Sequence, residues 1–378
     1  MKKKYKNILI NVLLSLAAII IFLFFFEIIL RATNIYLDYG YPEGMYREDT
    51  LLGYGMAPNF KGEFVKPEFR IEIATNSLGL RDREYFAKES DDYRILALGD
   101  SFTWGGYGIA SNETFLKILE KRLNEKSPDT NYQVINAGVP GYGTKEEMFY
   151  LINSGYKLQP DLVILNFFVG NDFLGNIESE RLTTKDGILV KKKFKVTTAE
   201  KVRSFMLIHL HSYRLIEKRV ITLFGHFIEK YIRGKIQQDG YQSELFLKAI
   251  NEDIKSQIDT VKELLNNMNS YLSSNDIKFL IVVIPLKYQV DENLKELFIK
   301  NNYRAGEEVD MEFPEKIIVE WALQNDVSVI DLLPRLSALN QNNDFYWKLN
   351  PHFNVKGNEV VGSIIYDELT NNDYLITQ

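Results

Sequence analysis

Four short blocks in this 378-residue sequence hold residue types that could do covalent chemistry. They are Gly99-Asp100-Ser101, Asn136-Ala137-Gly138, Gly170-Asn171-Asp172 and, near the C-terminus, His352. A serine hydroxyl is a poor nucleophile at neutral pH and needs a base within hydrogen-bond reach. His352 is the candidate base for Ser101. It lies in Trp347-Lys348-Leu349-Asn350-Pro351-His352-Phe353-Asn354, a proline-containing loop, rather than on an apolar helical face where a core histidine would sit. The other histidines, His209, His211 and His226, fall in a stretch of helical periodicity and read as packing or surface residues. Acyl transfer also needs donors aimed at the oxygen that turns negative in a tetrahedral intermediate. Gly138 lacks a Cβ, so its backbone could approach a ligand closely, and Asn171 offers a neutral amide donor. Singly, each has a plainer reading as a turn residue; together, each after the end of an apolar run, they read as a site.

The order of the blocks resembles that of the SGNH (GDSL) hydrolase superfamily in a membrane-anchored bacterial form. The resemblance runs from about Asn76 to the end and includes NSLGLRDREY before the first block and PDLVILNFF before Gly170. It implies a serine esterase or acyltransferase without metal or cofactor, with Ser101 as nucleophile and His352 as base. Its oxyanion hole would be the backbone N–H of Ser101, the backbone N–H of Gly138 and the side-chain amide of Asn171, with Asp100 in support. One position departs from the pattern. The superfamily usually places an Asp two or three residues before the histidine, and here Leu349 and Asn350 stand there. An Asn can orient a histidine, yet Asp to Asn in a serine triad costs about 10⁴ in turnover where it imposes the wrong tautomer. A Ser-His dyad is therefore expected, with Asn350 or a backbone carbonyl holding the ring and Asp344 as a more distant substitute.

The elements that must position these residues are legible in the apolar patterning. Ile95 to Leu98 is a continuous apolar run of buried-strand length that stops at Gly99. Phe115, Leu116, Ile118, Leu119 and Leu123 then recur at helical spacing, with Ser111 or Asn112 expected as N-cap. Further strands are expected at Tyr132–Asn136, Leu162–Phe168, Phe279–Ile284 and Ser328–Leu332. Helices are expected at Lys145–Tyr156, Glu244–Ser273, Leu294–Asn301, Pro314–Gln324 and Val355–Leu369. Strands alternating with helices predict a three-layer α/β sandwich, flavodoxin-like, around a parallel sheet of about five strands. Ser101 then falls at the carboxyl edge of the sheet, where open α/β folds bind ligands. The alternation breaks between Phe173 and Gly240, an expected lid-like insertion. It opens with a hairpin around Lys185-Asp186-Gly187 and continues as helix from Val202 to Ile232.

Before the sheet, Lys2, Lys3, Lys4 and Lys6 precede an apolar stretch from Ile8 to Ile29 with no small-residue cleavage site, which predicts an uncleaved membrane anchor over residues 1–31. The positive-inside rule puts Met1 in the cytoplasm and the rest outside, in the periplasm or at the cell surface. Residues 32–92 read as a tether and a small β-rich preface, ahead of the hydrolase domain at 93–378. A chain that is 46% hydrophobic and 25% charged is globular rather than disordered. Its net charge of -6 argues against nucleic acid as a partner. The absence of cysteine excludes disulfides, a catalytic thiol and a cysteine zinc site. The expected substrate is a small O-acyl ester, acetyl on a glycan, with the membrane and an envelope polysaccharide machinery as expected partners. The rival from another class is a non-catalytic polysaccharide-binding module on the same fold, favoured by the missing acid.

Overall fold

The computed structural model describes residues 2–33, 41–66, 68–174, 182–185, 188–191, 243–304, 306–339, 345–348, 350–371 and 374, with short pieces between 202 and 216. Leu349, Asp344, His209, His226, the Asp186-Gly187 turn and most of the expected helix Val202–Ile232 lie outside the described residues.

The chain divides into two compact units. The first comprises Met1–Gly40 and Lys193–Ile236. Its helix α1, Lys2–Ala32, includes Ile10–Ala32, which is long and apolar enough to cross a membrane. Near its end the Glu27 carboxylate accepts from Arg31 Nε at 2.8 Å, His211 N at 3.0 Å and Ser212 N at 2.8 Å.

The second unit, Tyr41–Lys192 with Gln237–Gln378, holds the sheet. It opens with two antiparallel pairs, β1 Tyr46–Asp49 with β2 Gly53–Met56, and β3 Lys61–Lys66 with β4 Phe69–Ala74. Then follow β5 Asp92–Gly99, helix α2 Ser101–Trp104, α3 Phe115–Lys126, β6 Asn131–Asn136, α4 Thr144–Asn153 and β7 Leu162–Phe168. The antiparallel pair β8 Leu182–Lys185 and β9 Ile188–Lys191 precedes α5 Glu252–Ser273 and β10 Lys278–Ile284. The chain closes with α6 Lys287–Val290, α7 Glu292–Asn302, α8 Phe313–Gln324, β11 Ser328–Asp331, α9 Leu332–Leu339 and α10 Val355–Asn371.

Five strands form one parallel sheet in the order β11-β10-β7-β5-β6. β5 therefore has its successor β6 on one side and β7 on the other, so the connections after β5 and β6 run in opposite directions. In open α/β sheets ligands bind at such a switch point, which here lies outside the carboxyl ends of β5 and β7. Ile95, Leu96, Ala97 and Leu98 are buried on both faces, which is why the run shows no alternation. The outer helices interlock with this centre. The Asn358 side chain on α10 accepts from the Phe115 N–H at 3.0 Å, satisfying an otherwise unpaired donor at the start of α3.

Three helix boundaries differ from the sequence expectation. The N-cap of α3 is Thr114, whose Oγ1 accepts from Lys117 N, while Ser111–Glu113 forms a separate 3₁₀ turn. α5 starts at Glu252, not Glu244: Asn251 Oδ1 accepts from Ile254 N at 2.8 Å, and Glu252 and Asp253 suit the positive end of the helix dipole. Phe246, Leu247 and Ile250 thus precede the helix, with Leu247 bridged to Val309. α4 ends at Asn153, and Gly155–Leu158 continues as a 3₁₀ turn.

The preface does more than tether. Met45, Tyr46, Tyr54, Phe64 and Ile73 form a second small core with Trp104, Tyr107, Val139 and Tyr142, which come from the loops after β5 and β6.

Candidate active site

The site is assembled from strand ends. β5 finishes at Gly99, where a Cβ would lie 2.0 Å from Thr103 Oγ1, so only glycine lets the chain fold back into α2. Asp100 caps that turn, its Oδ1 accepting from Phe102 N at 2.8 Å. Ser101 is thereby presented just beyond the carboxyl end of β5. On the β7 side, buried Asn166 ties the two strands by donating from Nδ2 to Leu98 O at 2.9 Å.

His352 arrives from the loop before α10, and its Nε2 lies 2.7 Å from Ser101 Oγ. Its Nδ1 lies 2.6 Å from Asn350 Oδ1, and the same oxygen accepts from the His352 backbone N–H at 3.0 Å. This pair of contacts settles the tautomer. A backbone N–H can only donate, so the Asn350 atom facing it is the oxygen, and an amide oxygen can only accept. Nδ1 therefore carries the proton and Nε2 presents its lone pair to the serine hydroxyl. The wrong-tautomer cost of an amide in the orienting position does not arise in this geometry. Burial, with Lys66 and Lys287 nearby, pushes His352 down to about 3, so the ring is neutral at pH 7.

Asp100 lies behind the serine. Its Oδ2 accepts from Asn171 Nδ2 at 2.8 Å and lies 3.4 Å from Ser101 Oγ, a longer contact than that to His352. Burial pushes Asp100 up to about 6, opposed by hydrogen bonds from Phe102, Asn171 and Ser101, which keep it ionised at neutral pH. Deeper still, Asp172 accepts from Phe168 N at 2.7 Å through Oδ2, and burial pushes both Asp172 and Glu147 well above the usual carboxylate range.

Asn171 and Ser101 thus meet at Asp100. Gly138 packs directly on the serine turn: a Cβ there would lie 2.3 Å from Trp104 N and 2.7 Å from Thr103 C, so any side chain would displace α2. Its N–H donates to Asn136 Oδ1 at 3.0 Å, and Asn171 Nδ2 is shared between Asp100 and, at 3.4 Å, Tyr142 O. In this state two of the three expected oxyanion donors are therefore engaged within the protein. His211 belongs to the other unit. Among the described residues no cluster of three His, Cys, Asp or Glu could hold a metal ion.

Sequence reasoning missed the residues that surround the base. Tyr107 stacks on the His352 ring with centroids 3.6 Å apart and planes at 6°, and Phe102 packs on it at 4.7 Å. The available signal was the aromatic residue inside the glycine-spotted loop after Ser101, which has no helical or strand spacing to explain it.

A family model described as GDSL-like Lipase/Acylhydrolase matches residues 95–365. No curated protein matches the chain. Among solved structures, the acetyl xylan esterase AlAXEase is similar at 15% identity over 73% of this chain and 99% of its own, with a TM-score of 0.41. A lipase/acylhydrolase from Enterococcus faecalis is similar at 16% identity, over 74% of this chain and 96% of its own, with a TM-score of 0.41.

Proposed function

The chain belongs to the GDSL-like lipase/acylhydrolase family and is of the ester-cleaving serine hydrolase or acyltransferase class, and we propose that it works through an acyl-Ser101 intermediate on small O-acyl esters, acetyl on a glycan. The observation that carries the mechanism is the contact between Ser101 Oγ and His352 Nε2 at 2.7 Å, with the lone pair of Nε2 fixed toward the hydroxyl by Asn350. As Oγ bonds to the acyl carbon, its proton passes to Nε2. The tetrahedral intermediate then collapses, the bond to the leaving alcohol breaks, and Nε2 returns the proton to that oxygen. Water, or a sugar hydroxyl in the transferase variant, repeats the sequence in reverse on the acyl-enzyme.

The negative oxygen would be received by the N–H groups of Ser101 and Gly138 and by the Asn171 amide. Because Gly138 N–H rests on Asn136 and Asn171 on Asp100, the substrate oxygen must share these donors or take them over. Phe102, next to Ser101, is held by ring contacts with Phe168, His352 and Phe353. The N-terminal lysines and the apolar helix support an extracytoplasmic domain on an uncleaved anchor. The binding-module alternative drew on the missing acid, and Asn350 supplies the orientation that acid would give.

The test is turnover of an acetylated glycan and of acetyl-ester dyes by the full chain in detergent. Ser101→Ala should abolish turnover and covalent labelling by a fluorophosphonate while leaving the melting curve in place. Retained turnover in that variant would overturn the reading.

A further inference from the structure

The loop after α2 is pinned more firmly than a turn at a protein surface requires. Arg81, buried, donates from Nη1 to Trp104 O at 3.1 Å and from Nη2 to Ile109 O at 2.5 Å, bracketing the loop from both ends. Trp347 Nε1 donates to Tyr107 O at 2.7 Å, and Trp347 N donates to His352 O at 3.0 Å, so one residue joins the Tyr107 loop to the histidine loop. The Tyr107 hydroxyl is hydrogen-bonded to that of Tyr41, and Phe64 and Phe69 pack edge-on against the Tyr107 ring. All of this fixes one aromatic face flat against His352.

We propose that Tyr107 is a positioning residue that acts through His352, holding the imidazole in line with Ser101 and stabilising its protonated form as the acyl-enzyme is made and broken. The inference rests on the function proposed above. In a triad with an acid, the carboxylate both orients the ring and offsets the charge that the ring acquires. Asn350 orients but brings no charge. A parallel aromatic face brings the missing part, because its quadrupole attracts the imidazolium more than the neutral ring. The gain therefore appears when the serine proton has moved to Nε2, which is where binding energy accelerates a reaction. The charged and titratable groups facing the ring are Lys66 from β3, Lys287 from α6, and Ser101 and Tyr107 from the loops after β5. Both lysines oppose protonation and the Asp100 carboxylate lies on the far side of Ser101 Oγ, so the Tyr107 face is the favourable partner stacked on the ring beside the amide.

The experiment uses the full chain, with kcat and KM on an acetyl-ester dye and ¹⁵N-histidine spectra across pH, His352 being assigned through His352→Gln. Tyr107→Phe keeps the face and should keep kcat near wild type. Tyr107→Leu keeps apolar cover without the face and should lower kcat roughly 3- to 30-fold with KM little changed. Tyr107→Ala removes the surface that holds the ring, so its ¹⁵N spectra at about pH 7 should show a mixture of the two neutral tautomers of His352 where the wild type shows the proton on Nδ1 alone. A folded Tyr107→Leu with wild-type kcat would overturn the proposal, as would a His352 with the same single tautomer in wild type and Tyr107→Ala. If Tyr107→Ala fails to fold, the Leu and Phe variants decide alone. If Ser101→Ala retained turnover, the function proposed above would fall, while the spectra would still test the stacking.

Discussion

Two buried carboxyl–amide pairs sit on the carboxyl edge of the same sheet, one beyond β5 and β7 and one beyond β10. Asp100 accepts from Asn171 Nδ2 at 2.8 Å, and Glu315 accepts from Gln289 Nε2 at 2.7 Å. Their polar surroundings then diverge. Asp100 also caps α2 and takes N–H groups from its own turn, which hold it near 6 against burial. Glu315 leaves Oε2 buried without a hydrogen-bond partner among the described residues, with Asp331 and Glu312 adding repulsion, and burial pushes it up to about 8. Burial raises both acids, and Glu315 the farther of the two. The same pairing thus leaves one acid nearer its charged form beside Ser101 and the other nearer its neutral form in the core. The number of N–H donors turned toward the carboxyl decides which.

The largest test of this contrast is to replace each acid by its amide. Asp100→Asn should lower kcat by about 10²–10³, the range for disturbing an oxyanion-hole donor, because an amide cannot accept from Phe102 N and Asn171 together as the carboxylate does. Glu315→Gln should leave kcat unchanged. Equal losses in both variants would show that Asp100 matters only as packing.

A smaller effect is expected from the third amide. Asn350→Asp puts a carboxylate beside Nδ1, and an opposite charge favours the protonated ring. The acid limb of kcat/KM should then move up from the region of about 3, by roughly 1 to 3 on the pH scale, with neutral-pH turnover unchanged or raised. An acid limb that stays in place would mean that the lysines and burial, not the residue at 350, govern His352.

The sheet and the three blocks that follow its strands were legible because buried parallel strands leave continuous apolar runs that end abruptly in glycine or asparagine. Ile95–Gly99 and Leu162–Gly170 needed no partner to be read. Capping was harder: Ser111, Asn112 and Thr114 are all competent N-caps, and only tertiary packing, with Asn358 on the Phe115 N–H, selects Thr114. The hold on His352 was half legible. Asn350 is two residues away and could be named, whereas Tyr107 and Tyr41 reach the ring through a core that the preface builds from distant residues. The engagement of Gly138 N–H by Asn136 depends on a backbone turn rather than on residue type, and spacing does not encode it.

The smallest effect belongs to Glu315, and it appears in stability alone. Its folded-state value of about 8 lies above the ordinary value of 4.5, so between those limits the folded chain binds more protons than the unfolded one. The contribution is therefore fully present below about 4.5 and is lost as pH rises through about 8. Glu315→Gln has the shape of the neutral acid and no proton to give up, so it should match wild type in denaturant melts at pH 5. Above pH 8.5 it should be more stable by roughly 4 kcal/mol, the linkage between about pH 5 and 8 at about 1.4 kcal/mol per pH step. Asp100, His352 and the other buried carboxyls titrate in both proteins and cancel in the difference. Parallel stability curves for wild type and Glu315→Gln from pH 5 to 9 would mean that Glu315 is already ionised in the fold. The contrast with Asp100 would then have to rest on position and not on charge.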